Sequence, residues 1–185
     1  MVYYSSKELA AAFRTVRNNT IKIAEEIPES KYAYRPVPEC RSIGETLAHI
    51  AVGTGIQRHI HGNQVSDLRS VNFPELMQKS RAEEATLRTK AEIIASLKSE
   101  GDAFAAFLES LPESVLAERV SMPPGAERPS KSRFEMLLSP KEHEMHHRGQ
   151  LMTLQRMIGQ VPHLTRQMQE RMANAVAASQ GQAAR

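Results

Sequence analysis

The sequence predicts an all-α protein, an antiparallel four-helix bundle with an extra helical segment at its C-terminal end. Two observations carry this reading. Apolar residues recur at helical spacing in four long segments, and no convincing run of strict apolar–polar alternation appears between them. The bulk properties fit a globular chain of one domain: 185 residues, 41% hydrophobic and 24% charged. A single core unit is expected over about residues 7–162, with 163–185 as an added helix and tail.

The first helix is expected from about Ser6 to Ile27, with Leu9, Phe13, Val16, Thr20, Ile23 and Ile27 along one side. The second opens at Ser42, where "SIGE" has the form of a capping box. The Ser42 hydroxyl and the Glu45 carboxylate each satisfy a free N–H there. It is expected to run to about His61, stopped by Gly62-Asn63. The third spans Lys90 to Leu111, burying Ile93, Leu97, Phe104, Phe107, Leu108 and Leu111 before Pro112. The fourth contains Pro140. Either a fresh helix starts at Ser139, or one longer helix bends at the proline and continues to about Met157. "HLTRQMQERMANAVAA" is expected as a further, partly exposed helix. The segment from Gln64 to Thr89 reads as a long connection holding the short helical pattern "PELMQKSRAEEA".

Several function classes are set aside by composition. A formal charge of +3, evenly spread, gives no argument for nucleic acid, so no nucleic-acid partner is expected. No stretch approaches the roughly 18 apolar residues of a membrane span. The opening "MVYYSSKELAAAF" has no apolar signal core, so neither a membrane nor export is expected. A single cysteine, Cys40, excludes an internal disulfide framework and fits a reducing, cytoplasmic setting.

The chemistry concentrates in "HEMHHRGQ", residues 143–150. At about 100° per residue, His147 lies roughly 40° around from His143, one turn along. Leu151, Leu154 and Ile158 continue that stripe, so both histidines face the core, with His146 at its margin. On the second helix Thr46, His49, Gly53, Ile56 and Ile60 share a face, which puts His49 inward. Gly53, one turn on, leaves room either for a pocket or for close helix packing. His59, His61 and His163 are expected at the surface or in loops. One inward histidine is ordinarily a satisfied core residue; a pair four apart plus a third from another helix points to a metal. Three neutral imidazoles suit a divalent ion and leave positions for water or substrate.

Two other metal readings fit less well. "HEMHH" satisfies H-E-x-x-H, with Glu144 as the would-be base, but Gln150 stands where the longer peptidase motif needs glycine. A di-iron bundle needs two Glu-x-x-His pairs, and Glu144 with His147 supplies one.

"YRPVPECRSIGETLAHIA" followed by "HEMHHRGQLMTLQRMIGQVP" resembles the DinB-like superfamily over about Lys7 to Pro162. The resemblance implies an up-down-down-up bundle with a long crossover between helices two and three. It implies a divalent metal held by His49, His143 and His147, zinc or nickel first and iron or manganese as alternatives. It also implies frequent homodimers. Relatives include metal-dependent S-transferases of low-molecular-weight thiols and a maleylpyruvate isomerase, so the expected function is a metal-dependent enzyme on a small-molecule substrate, with a low-molecular-weight thiol as the candidate cosubstrate. A metal-dependent hydrolase and a non-enzymatic metal-binding or interaction bundle are the alternatives. Arg41 stands near a position often held by Trp in the family. Arg35 and Arg148 are candidates for holding carboxylates of a thiol cofactor, Gln150 for hydrogen-bonding a ligand histidine, and Glu144 for a general base.

Overall fold

A computed structural model describes residues 4–183. The helices are α1 (Ser6–Glu26), α2 (Ile43–Val52), α3 (Gly55–Gly62), α4 (Phe73–Thr86), α5 (Lys90–Ser110), α6 (Glu113–Ala117), α7 (Arg133–Met157) and α8 (His163–Ala183). Two three-residue strands, β1 (Arg119–Ser121) and β2 (Ser130–Ser132), pair antiparallel between α6 and α7. They are too short to show alternation in sequence.

The caps are those written in the sequence. Ser5, Ser42 and Thr89 each close a capping box with a glutamate three residues on, at the starts of α1, α2 and α5. α7 is one helix that carries Pro140 inside it, the second of the two expected alternatives. Burial of Pro140 against the core holds the ring where its missing N–H would otherwise favour a break.

The chain direction follows from which ends of the helices share a cluster. Leu9 and Phe13 of α1 pack on Phe104 and Leu108 of α5 and Leu137 of α7. At the other end Ile23 and Ala24 meet Leu47 of α2, Ile93 and Leu97 of α5, and Leu151 and Leu154 of α7. Thus α1 and α7 run one way, α2–α3 and α5 the other, giving the up-down-down-up order. Because α2–α3 and α5 are parallel, the chain must cross back between them, and α4 lies in that crossover. Phe13 and Phe104 meet edge to face at 4.9 Å in the middle of the α1–α5 seam.

The second helix departs from its expected course. It breaks at Gly53-Thr54, and α3 follows as a separate helix. His61 lies inward beside Ile60, not outward as expected: it is buried, and its Nδ1 accepts from Arg133 Nη1 at 3.2 Å. Its Nε2–H donates to Gln57 Oε1 at 3.1 Å. His163 is also buried, at the start of α8, against Asn19 Oδ1 at 3.1 Å. Beyond it α8 projects outward, with Met168, Met172 and Val176 exposed. Among the described residues no helix is long and apolar enough to cross a membrane.

Burial, and then the Arg133 charge, push the His61 pKa down to about 4. Unfolded, the same ring takes a proton near pH 6.5, so between these values the unfolded state binds more protons and stability falls as pH drops. At pH 4.5 this should remove about 2 kcal/mol of stability relative to pH 7. In urea unfolding with chelator present, His61→Gln should lose that much less over the same range. An equal loss in both proteins would exclude His61 as the acid-sensitive group.

Candidate metal centre

The site is assembled on a buried ion pair. Arg17 of α1 donates from Nε to both oxygens of Glu144 on α7, at 3.1 and 2.9 Å. Its Nη1 donates to the Leu97 carbonyl of α5 at 2.9 Å and its Nη2 to the Ile50 carbonyl of α2 at 3.3 Å. Arg17 is 3% exposed and Glu144 is 1% exposed. One guanidinium therefore ties four helices together, with Ile50 adjacent to His49 and Glu144 adjacent to His143. This corrects the reading of Glu144 as a general base: its carboxylate is fully engaged beneath the histidines.

His49, His143 and His147 come together. His143 Nε2 lies 3.1 Å from His49 Nε2 and 3.1 Å from His147 Nε2, and one ring nitrogen of each lies within 4.8 Å of the others. Gly53 makes room for this. A β-carbon there would stand 3.3 Å from His143 Nδ1 and 3.4 Å from its Cε1. His146 sits outside the cluster and is exposed, as its position at the stripe's margin predicts.

The outer ring nitrogens decide what the inner ones present. His147 Nδ1 is 2.8 Å from Gln150 Oε1, an acceptor, so this nitrogen carries the proton. The Gln150 amide in turn donates to His146 Nε2 at 3.1 Å. His49 Nδ1–H donates to the Glu84 carboxylate at 3.0 Å. With those protons committed outward, the Nε2 atoms of His49 and His147 are left to present lone pairs inward. A single proton on His143 can bridge to only one of them, leaving the other 3.1 Å contact lone pair against lone pair.

A cation relieves that arrangement. An ion about 2.1 Å from each nitrogen puts neighbouring ligand atoms on the order of 3 Å apart, so this donor set fits a divalent metal. Burial first, and the charges of His147 and His49 second, hold His143 down to about pKa 4. Burial also lowers His147, against the opposing hydrogen bond to Gln150. Both rings are thus neutral at neutral pH, the form a metal requires.

Beside the cluster opens a cavity of about 870 Å³, lined by His147, Gln150, Arg41, Thr46, Leu154 and Met157 among others. Cys40 also lines it and is exposed. Arg35 is not available to a ligand there: it is spent on Glu45, at 2.7 and 2.8 Å, and on the Cys40 carbonyl. Among the described residues no hydrogen bond or ion pair of the Arg148 side chain links it to the site. Glu84 escaped the sequence reading, because it lies in the crossover where no pattern relates it to His49.

A sequence-family model described as the DinB superfamily matches residues 12–151. The protein YjoA of Bacillus subtilis is 26% identical over 154 residues, 83% of this chain and 91% of that one. The crystal structure of a DinB-like protein from B. subtilis superposes with a TM-score of 0.61 at 21% identity, over 83% of this chain and 94% of that one. A DinB-like protein from Bacillus cereus gives 0.66 at 15% identity, over 87% and 97%. The colibactin self-resistance protein ClbS, solved in complex with double-stranded DNA, gives 0.62 at 15% identity, over 84% and 98%.

That last structure overturns the expectation of no nucleic-acid partner drawn from the weak net charge. Net charge averages over a whole surface, whereas phosphate contact needs cations on one face only. A bundle of this fold is compatible with DNA, and ClbS is solved bound to it.

Proposed function

This chain belongs to the DinB superfamily, and on that footing we propose that it binds one divalent metal ion through His49, His143 and His147 and acts as an enzyme on a small molecule, transferring a low-molecular-weight thiol to an electrophile. The convergence of three Nε2 atoms, with His49 and His147 oriented from outside by Glu84 and Gln150, carries this reading. Zinc or nickel suits the all-imidazole donor set. A bound dication lowers the pKa of a coordinated thiol or water, supplying an anionic nucleophile at neutral pH.

The chain's own residues then have separate tasks. Gln150 holds His147 in one tautomer. Leu154 and Met157 give the cavity an apolar side for the non-polar part of a substrate, and Arg41 offers a cation to an anionic part of it. Cys40 is not the nucleophile in this scheme, because the attacking sulfur belongs to the cosubstrate.

Conjugate formation tests the transferase reading. The metal-reconstituted protein should accelerate reaction of an electrophile with bacillithiol, mycothiol or glutathione. Cys40→Ser should keep most of the rate and His49→Ala should lose it at saturating thiol. No metal-dependent rate with any of these thiols, across varied electrophiles, would overturn the transferase reading. Metal binding would then serve hydrolysis or a non-enzymatic role.

A further inference from the structure

The crossover helix α4 is held to the bundle in an unusual way. None of its fourteen residues is buried. A groove of about 630 Å³ runs along one side, lined by Arg81, Glu84 and Ala85. A second, of about 420 Å³, runs along the other, lined by Leu76, Lys79 and Glu83. Its apolar anchors lie at its two ends, Phe73 half-buried on Ile60 and Leu68 and the capping residue Leu87 on the cluster of Ile93 and Leu97, so the turns between them, Glu84 included, gain little from apolar burial, the main source of helix docking energy. Its polar attachments are as sparse. Among the described residues Glu84 is the one α4 side chain that reaches another element by hydrogen bond or ion pair. One oxygen accepts from His49 Nδ1 at 3.0 Å, and the other lies 3.8 Å from Arg41 Nε.

We propose that α4 is a clasp whose closure is coupled to metal binding through Glu84, which positions His49 as a ligand only while α4 is docked. The inference rests on the metal-binding reading and adds a moving part to it. The coupling is chemical and reciprocal. While Glu84 accepts the Nδ1 proton, the His49 Nε2 lone pair is fixed toward His143, and the carboxylate makes the ring a better donor. A metal on Nε2 keeps the proton on Nδ1, strengthens that N–H as a donor, and so tightens the hold on Glu84. By linkage, whatever Glu84 adds to metal affinity the metal returns to α4 docking. Glu84 is a positioning residue, two bonds of influence away from any substrate. Opening of α4 also moves Glu84 away from Arg41, which lines the cavity beside the histidines.

Zinc titration and amide hydrogen exchange on the chelator-stripped full chain test the coupling together. In the wild type, zinc should slow exchange across residues 73–86. Glu84→Ala should bind zinc about 10–100-fold more weakly and lose the zinc-dependent protection of α4, with its thermal midpoint in chelator near that of the wild type. Glu84→Gln, which keeps an acceptor oxygen, should recover part of both effects, and Glu83→Ala, the neighbour facing the second groove, should change neither. Wild-type affinity in Glu84→Ala, or exchange at 73–86 that ignores zinc in the wild type, would overturn the clasp while leaving the metal site intact. A wild type that takes up no zinc would overturn both.

Discussion

Replacing Glu144 with alanine is expected to cost about 3–5 kcal/mol of stability, the usual effect of stranding one member of a buried ion pair. Arg17 would keep its hydrogen bonds to the Leu97 and Ile50 carbonyls but would lose its counter-charge in a site closed to water. Gly101 adds to the constraint, because a β-carbon there would come within 2.7 Å of Arg17 Cγ, so the stem is seated tightly against α5. The double variant Arg17→Met with Glu144→Leu removes both charges and should lose less than Glu144→Ala alone. Urea unfolding of the three proteins in chelator at pH 7 measures this. A double variant less stable than the single one would mean that the carbonyl contacts of Arg17, not its charge, hold the four helices together.

The second large effect is on metal affinity. His49→Ala, His143→Ala and His147→Ala should each weaken zinc binding by at least about 100-fold, since losing a ligand costs more than the ~10–100-fold lost with a ligand's hydrogen-bond partner. His146→Ala should stay within a few-fold of wild type. Its ring packs edge to face on His147 at 4.9 Å and it accepts from Gln150, but it offers no nitrogen to the cluster, and Gln150 Oε1 still accepts from His147 after His146 is gone. Competition titration against a chromophoric chelator would read all four variants. Equal losses in the His146 and His147 variants, with both folded, would mean that His146 takes part in binding directly.

The ligand candidates were legible because helical periodicity is an angular code. His143 and His147 share the stripe of Leu151 and Leu154, and the Ser42 capping box fixes where α2 begins and therefore where His49 points. The code fails where a distant element covers the margin of a helix. His61, read as outward, is buried beside Ile60 against Arg133 of α7, a residue 72 positions away. His163 fails for a related reason, since packing of α8 on α1 buries its first residue and no local pattern announces that contact. The role of Glu144 was not legible, because H-E-x-x-H is also what results when a core glutamate happens to follow an inward-facing histidine. Its partner Arg17 lies 127 positions away, beyond any spacing rule. Glu84 has the same difficulty: only the folded crossover brings it beside His49. Net charge is a poor guide to a nucleic-acid partner because it carries no information on where the charges sit.

Metal content after stripping and reloading bears most directly on the central claim. Wild-type protein, freed of metal by chelator, reloaded with zinc or nickel and dialysed extensively, should retain about one ion per chain by elemental analysis. His49→Ala treated in parallel should retain almost none. A wild type that holds no more metal than His49→Ala, with both folded, would contradict the account.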